Sequence, residues 1–246
     1  MGMPWRVFSA SAIGKSHIDG GLPCQDACES AFDNARLVAV VCDGAGSASK
    51  SDVGARECAA LICKSLFGVV GSSSSCITPS VIEQTVEAAR MHVQSCADDL
   101  GVPLRELACT VVGVVLSQDG GYLLHIGDGM AVVELVDDST ILSLPENGEY
   151  ANETYFVTGD DWLPHLRITP FSGTIRCISL MSDGAMPFAV SRGKTGMFKP
   201  FIDPVRSYLA TVSETEGSEA LLATLADERT WSITSDDKSL LLILPS

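Results

Sequence analysis

The sequence predicts a mixed α+β fold in which two helices cover an antiparallel sheet. Two stretches carry apolar residues at helical spacing, and three apolar runs joined by short turn sequences follow them at 107–116, 122–126 and 130–136. Runs of this length joined by tight turns are typical of an antiparallel meander. Since 246 residues with 46% hydrophobic content are sufficient for one large core, we expect 1–246 to form a single domain.

The first half of the chain predicts two strands and then the helix pair. Strands are expected at 5–10 and 36–42, separated by a polar turn at 14–28. The first helix is expected from Ser51 to Gly68, where its apolar spacing is carried by Val53, Ala55, Cys58, Ala59, Ile62 and Leu66. The second begins at Thr78-Pro79, a cap followed by a first-turn proline, and ends at Leu100-Gly101.

The second half predicts a loop, two helices and two further strands. Residues 137–172 are rich in polar and turn residues, so we expect a flap or loop region at about 137–175 rather than core. The apolar run 175–181 predicts a strand that resumes the sheet. Helices are expected at 185–190 and 216–229, before the buried strand 239–244 closes the chain.

Charge and cysteine content exclude several classes of protein. A net charge of −15 with 16 lysines and arginines argues against a nucleic-acid or anionic-membrane partner, which this surface would repel. The nine cysteines are odd in number and form no C-x-x-C pair, which indicates reduced thiols and a cytoplasmic protein. No apolar run approaches the roughly 20 residues that a membrane span needs. The sequence leaves the oligomeric state open.

The same dipeptide follows three apolar runs, as Asp43-Gly44, Asp128-Gly129 and Asp183-Gly184, and the pair Asp236-Asp237 precedes the run SLLLIL. Strands hold their end residues rigidly, and carboxylate oxygens are the ligands that Mg²⁺ and Mn²⁺ prefer. The alternative for each dipeptide is a hairpin turn, above all for Asp128-Gly129 between two predicted strands. Their recurrence favours a carboxylate-rich metal site.

Several motifs in this order resemble the metal-dependent protein phosphatases of the PP2C (PPM) family. They are DGAGSASKSDVGA, Thr110 within a strand, IGDGMAVV, LMSDGA and DDKSLLLIL. Two further stretches, GKSHIDGGLPCQDA and GEYANET, resemble a bacterial-type branch of that family. The resemblance implies a four-layer α-β-β-α sandwich of two antiparallel sheets flanked by helix pairs, with metals at one end.

The resemblance also implies a ligand set for two Mg²⁺ or Mn²⁺ ions. Asp43 is expected to bridge the two ions, with the Gly44 carbonyl as an additional ligand. Asp183 and Asp236 are expected to hold one of the ions, and Asp26 to bind through water. Asp128 matches the residue that, with Asp183, holds a weaker third ion.

The implied reaction is hydrolysis of phosphoserine and phosphothreonine in a protein, with Asp43, Asp183 and Asp236 as the catalytic set. A hydroxide bridging two metals attacks phosphorus in line, while the metals offset the charge on the phosphoryl oxygens. The implied partner is a phosphorylated protein, either a serine/threonine kinase or the target of a companion kinase.

Three positions depart from the family pattern. Gln25 stands where many members have glutamate, which predicts weaker metal binding, and Ala45 replaces a histidine of eukaryotic members. The phosphate-binding arginine of eukaryotic members has no match upstream of Asp26, where Lys15 and His17 are the basic groups considered instead. These departures motivate the alternative of a catalytically weak regulatory or phosphoprotein-binding module.

A second alternative is a nucleotide-binding loop. Residues 44–51, GAGSASKS, follow a predicted strand, precede a predicted helix and are one residue short of a P-loop. That interpretation leaves Asp183 and Asp236 unexplained, and it would need tight nucleotide binding without metal-dependent phosphatase activity.

Overall fold

The computed structural model describes residues 5–70, 77–117, 120–146 and 154–246. The strands are β1 (Trp5–Ala12), β2 (Ala27–Phe32), β3 (Leu37–Cys42), β4 (Val111–Ser117), β5 (Gly120–Ile126), β6 (Met130–Leu135), β7 (Thr140–Ser143), β8 (Arg167–Phe171), β9 (Ile175–Met181) and β10 (Lys238–Pro245). The helices are α1 (Lys15–Gly20), α2 (Ser51–Val70), α3 (Pro79–Leu100), α4 (Trp162–His165), α5 (Met186–Ala189), α6 (Lys199–Leu209) and α7 (Glu214–Leu225).

The strands form two five-stranded antiparallel sheets that pack face to face. One has the order β1-β10-β9-β6-β7 and the other the order β2-β3-β4-β5-β8. Helices α2 and α3 cover the outer face of the second sheet, and α6 and α7 cover the outer face of the first. The expected four-layer α-β-β-α sandwich is therefore confirmed. No helix among the described residues is both long enough and apolar enough to cross a membrane.

Strand β3 shows why each sheet packs against hydrophobic residues on both of its faces. All six of its residues are buried. Side chains on a strand alternate between its faces, so Val38 and Val40 pack against the helices while Ala39 and Val41 pack against the other sheet. A continuous apolar run, rather than an alternating one, is therefore the pattern of a strand covered on both faces.

The helix α3 matches its sequence signals at both ends. The Thr78 side chain accepts a hydrogen bond from the Val81 N–H at 3.3 Å, and Pro79 occupies the first turn. Gly101 ends the helix with φ 68°, a left-handed conformation that favours glycine. Its apolar face, which includes Ile82, Val86, Ala89 and Val93, is fully buried.

The predicted meander over 107–136 is wrong at its last step. Strands β4 and β5 pair, but β6 pairs with β7 and β9 in the other sheet. Asp128-Gly129 therefore lies in a connection between two sheets and not in a hairpin turn. The sequence did not reveal this because strands buried on both faces read alike in either sheet.

Other local predictions need correction as well. The expected loop at 137–172 contains the strands β7 and β8 and the short helix α4, and the polar turn at 14–28 contains α1. Strand β2 and helix α6 were missed. Strands β2, β7 and β8 lie at sheet edges and are only partly buried, so they lack the apolar signal of the central strands. Residues 147–153, which include most of GEYANET, lie outside the described part of the chain.

Candidate metal centre

Strand ends from both sheets bring carboxylates to one end of the sandwich. Asp43 directly follows β3, while Asp183 follows β9 after one residue and Asp236 lies two residues before β10. Asp128 belongs to the connection that crosses from β5 to β6. Carboxylate oxygens of Asp43, Asp128 and Asp183 all lie within 4.8 Å of one another.

These residues line an open cleft of about 220 Å³. Asp236 and Gly44 also line it, together with Ala45, Gly46, Ser47, Thr110, Thr154 and Phe156. The structure thus brings together five of the six predicted metal-site residues around one cleft. Thr154 and Phe156 were not predicted, and Thr154 donates a hydrogen bond from Oγ1 to the Asp128 carboxylate.

Asp43 is held by Thr110, which lies directly before β4 and not within a strand as the sequence suggested. Its N–H donates to Thr110 Oγ1 at 3.1 Å, and its carbonyl oxygen accepts from the Thr110 N–H at 2.8 Å. Gly44 has no room for a side chain, because a Cβ there would lie 2.7 Å from the Gln25 carbonyl oxygen and 2.8 Å from the Ser51 Cβ. The backbone at Asp43-Gly44 is therefore fixed on both sides.

Asp26 is buried and is not among the described residues that line the cleft. It immediately precedes β2, whose first residue Ala27 is paired with Cys42, and its side chain is 8% exposed. The Ser182 hydroxyl donates to Asp26 Oδ2 at 2.7 Å, which links the two sheets. Asp26 Oδ1 and Asp183 Oδ1 are buried without a hydrogen-bond partner among the described residues.

Crowded carboxylates dominate the electrostatics of this site. Burial raises the pKa of Asp26 to about 7, and repulsion from Asp237 adds to the increase. Burial and the charges of Asp128 and Asp236 raise the pKa of Asp183 to about 6. Burial, followed by the charges of four neighbouring aspartates, raises the pKa of Asp43 well above its ordinary value. Such a cluster favours either protons or divalent cations.

The residue after Asp236 has a role that the sequence did not indicate. The buried Asp237 carboxylate accepts from the Gly14 N–H at 2.6 Å and from the Gln25 N–H at 2.5 Å, and it contacts His17 Nδ1 at 2.9 Å. Asp237 therefore holds the 14–25 segment, which carries Gln25 and leads to Asp26. Asp237 is 2% exposed and is not among the described residues that line the cleft.

The two basic residues considered for phosphate binding do not line the cleft. His17 is 7% exposed and bound to Asp237, while Lys15 pairs with Asp19 at 2.6 Å. Lys238 is buried nearby, but its Nζ donates to the Asp236 carbonyl oxygen at 3.3 Å. No lysine or arginine is among the described residues that line the cleft.

Gly184 allows the ends of β9 and β10 to approach each other. A Cβ at Gly184 would lie 1.9 Å from the Asp237 carbonyl oxygen. We expect Gly184→Ala to force these strand ends apart and to lower the free energy of unfolding by about 2 kcal/mol or more, as measured by urea denaturation. Gly68→Ala is the matched control, since nothing lies within 4 Å of a Cβ there. Equal losses in the two variants would contradict the proposed close packing.

Comparison with protein families and curated proteins gives one consistent result. Residues 13–226 match the family model described as protein phosphatase 2C. The chain is 33% identical over 255 residues to serine/threonine-protein phosphatase 3 of Escherichia coli (strain K12), an alignment that covers 98% of this chain and 99% of the relative.

Solved structures with low sequence identity share the fold. PppA, described as a key regulatory component of T6SS in Pseudomonas aeruginosa, is 16% identical with a TM-score of 0.63, over 99% of this chain and 98% of PppA. The catalytic domain of the serine/threonine protein phosphatase PstP, solved with 2 manganese ions, is 14% identical with a TM-score of 0.63, over 98% of both chains.

Proposed function

This chain belongs to the protein phosphatase 2C family, and from that premise we propose that its cleft hydrolyses phosphoserine and phosphothreonine in proteins with bound Mn²⁺ or Mg²⁺. The observation that carries the proposal is the meeting of Asp43, Asp128 and Asp183 within 4.8 Å at strand ends from both sheets. Hard divalent cations prefer such all-oxygen ligand sets.

The donor set fits two ions. In the proposal Asp43 would be a ligand of both ions and the Gly44 carbonyl an additional ligand. Asp183 and Asp236 would hold one of the ions, and Asp26 would bind through water. Asp128 and Asp183 take a third, weaker ion. The partnerless buried oxygens of Asp26 and Asp183 support this assignment, because buried carboxylate oxygens without partners are costly unless a ligand satisfies them.

The bound cations would supply a water nucleophile of lowered pKa and positive charge for the phosphoryl oxygens. The protein contributes rigid positioning, since Thr110, Gly44 and Gly184 fix the backbone around Asp43 and Asp183. Because no basic side chain is among the described residues that line the cleft, the phosphate group of the substrate would depend on the cations for binding. This arrangement makes activity strictly dependent on divalent cations.

Three further properties are the domain organisation, the partner and the cellular environment of the protein. We infer that 1–246 act as a single catalytic domain and that the partner is a phosphorylated target of a protein kinase. The eight described cysteines are all free thiols, which supports a reducing, cytoplasmic environment.

Phosphate release from a phosphothreonine peptide tests the proposed function directly. We expect turnover with Mn²⁺ or Mg²⁺, none with EDTA, and loss of turnover in Asp183→Asn. A folded wild-type protein that binds Mn²⁺ but shows no turnover on phosphopeptides or phosphoproteins would contradict it and favour the regulatory module.

Gln25 provides a second, graded test. Its side chain is 4% exposed and its Oε1 is buried without a partner in the described structure. We expect Gln25→Glu to lower the Mn²⁺ concentration needed for half-maximal turnover about 10-fold, since residues that support metal ligands commonly contribute 10- to 100-fold. Gln84→Glu, the same change at an exposed position of α3, is the control. An unchanged Mn²⁺ requirement in Gln25→Glu would contradict the expectation that Gln25 weakens metal binding.

A further inference from the structure

A second cluster of metal-ligating side chains lies on the outer helix pair, away from the cleft. His92 and Cys96 are four residues apart on α3 and therefore share one face of that helix. Glu57 reaches the same point from α2, which packs against α3. One ligand atom from each residue lies within 4.8 Å of the other two.

The distances from His92 to the other two ligand atoms are close to the edges of a tetrahedral site. His92 Nε2 lies 3.1 Å from Glu57 Oε2 and 3.8 Å from Cys96 Sγ. Zinc bonds of about 2.0–2.1 Å to nitrogen or oxygen and about 2.3 Å to sulfur place tetrahedral ligand atoms roughly 3.4–3.6 Å apart. The two His92 distances differ from these values by a few tenths of an ångström, and the third edge, between Glu57 and Cys96, is at most 4.8 Å.

The environment of the cluster leaves its ligand atoms available. The neighbouring Arg56 approaches the other carboxylate oxygen, with Nε 3.5 Å from Glu57 Oε1, so Oε2 is left facing His92. The side chains of His92 and Glu57 are 41% and 33% exposed. An ion therefore has a path from solvent and a fourth position for water.

We propose that Glu57, His92 and Cys96 form a zinc site that joins α2 to α3. Mixed carboxylate, imidazole and thiolate donors suit Zn²⁺, whereas the all-oxygen cleft suits Mn²⁺ and Mg²⁺. Binding requires the Cys96 thiolate, so the thiol proton is released to solvent as the Zn–S bond forms. By joining α2 to α3, the ion would stabilise α2. This helix begins at Ser51, shortly after the cleft-lining residues 43–47.

Cobalt is the spectroscopic probe that separates this site from the cleft. Co²⁺ bound at the cluster gives a thiolate-to-cobalt charge-transfer band, which oxygen ligands alone do not produce. We expect the band in the wild type and in Asp43→Asn, no band in Cys96→Ser, and at least a 10-fold weaker Co²⁺ affinity in Glu57→Gln. The proposal would fail if the wild type had no band or if Cys96→Ser retained it.

A matched cysteine and a stability measurement complete the test. Cys24→Ser is the control, because the Cys24 thiol lies 3.9 Å from the Asp26 carbonyl oxygen and is the alternative ligand near the cleft. Loss of the band in Cys24→Ser would overturn the assignment. Saturating Zn²⁺ should raise the Tm of Asp43→Asn by about 3 °C or more and leave that of Asp43→Asn/Cys96→Ser unchanged, whereas equal shifts would contradict the site.

Discussion

Replacing Asp43 by asparagine is expected to lower kcat/KM on a phosphothreonine peptide at least 100-fold at saturating Mn²⁺. In the proposed site Asp43 is the ligand shared by both ions, and even residues that only support metal ligands commonly contribute about 10- to 100-fold. The amide keeps the shape of the side chain but removes its charge. Phosphate release over a Mn²⁺ titration measures the effect.

Although Asp43→Asn should lose activity, it should be more stable than the wild type in the absence of metal. Without metal, Asp43 is a buried carboxylate surrounded by other aspartates, so asparagine removes repulsion and should raise the Tm in EDTA. Saturating Mn²⁺ should then raise the Tm of the variant less than that of the wild type. If Asp43→Asn instead lowered the Tm in EDTA, its activity loss would be explained by misfolding. If it retained activity, the proposed role of Asp43 would be wrong.

The metal-free protein is expected to lose stability as the pH rises from about 5 to 8. The folded-state pKa is about 7 for Asp26 and about 6 for Asp183, both above the ordinary aspartate value of 3.8. A group whose pKa is raised by folding contributes its full stability below its unfolded pKa, and this contribution is lost as the pH rises through the folded pKa. The loss falls between about pH 4 and 7, so the interval from pH 5 to 8 contains most of it, and we expect about 2 kcal/mol or more over that interval.

Urea denaturation in EDTA at about pH 5 and 8 measures this loss. Saturating Mn²⁺ should offset it at the higher pH, because the cation favours the ionised carboxylates. Asp26→Asn is the matched variant and should show a smaller pH dependence in EDTA than the wild type, since the group with the folded pKa of about 7 is absent. An identical pH dependence in the two proteins would contradict the assigned cause.

Local chemistry explains which parts of the fold were readable from the sequence. Thr78-Pro79 and Gly101 delimit α3 because capping and left-handed conformations depend on the residues at those positions. The central strands β3, β9 and β10 are readable because burial on both faces requires continuous apolar runs. The edge strands β2, β7 and β8 satisfy neither condition, and they were missed.

The residues of the candidate site also fall into those whose placement was readable from the sequence and those whose placement was not. The sequence determined that Asp43 and Asp183 follow buried strands and that Asp236 precedes one, since these relations are contiguous along the chain. It also placed His92 and Cys96 four residues apart on one helix. These features need no knowledge of how the strands and helices are arranged in space.

Only the tertiary structure decided which distant groups meet. The crossing from β5 to β6 brings Asp128 to the cleft, the two sheets meet through Ser182 and Asp26, and Asp237 binds the 14–25 segment. Glu57 likewise reaches His92 only because α2 packs on α3. Partners of this kind are set by packing across layers and not by neighbouring residues, so no local sequence pattern specifies them.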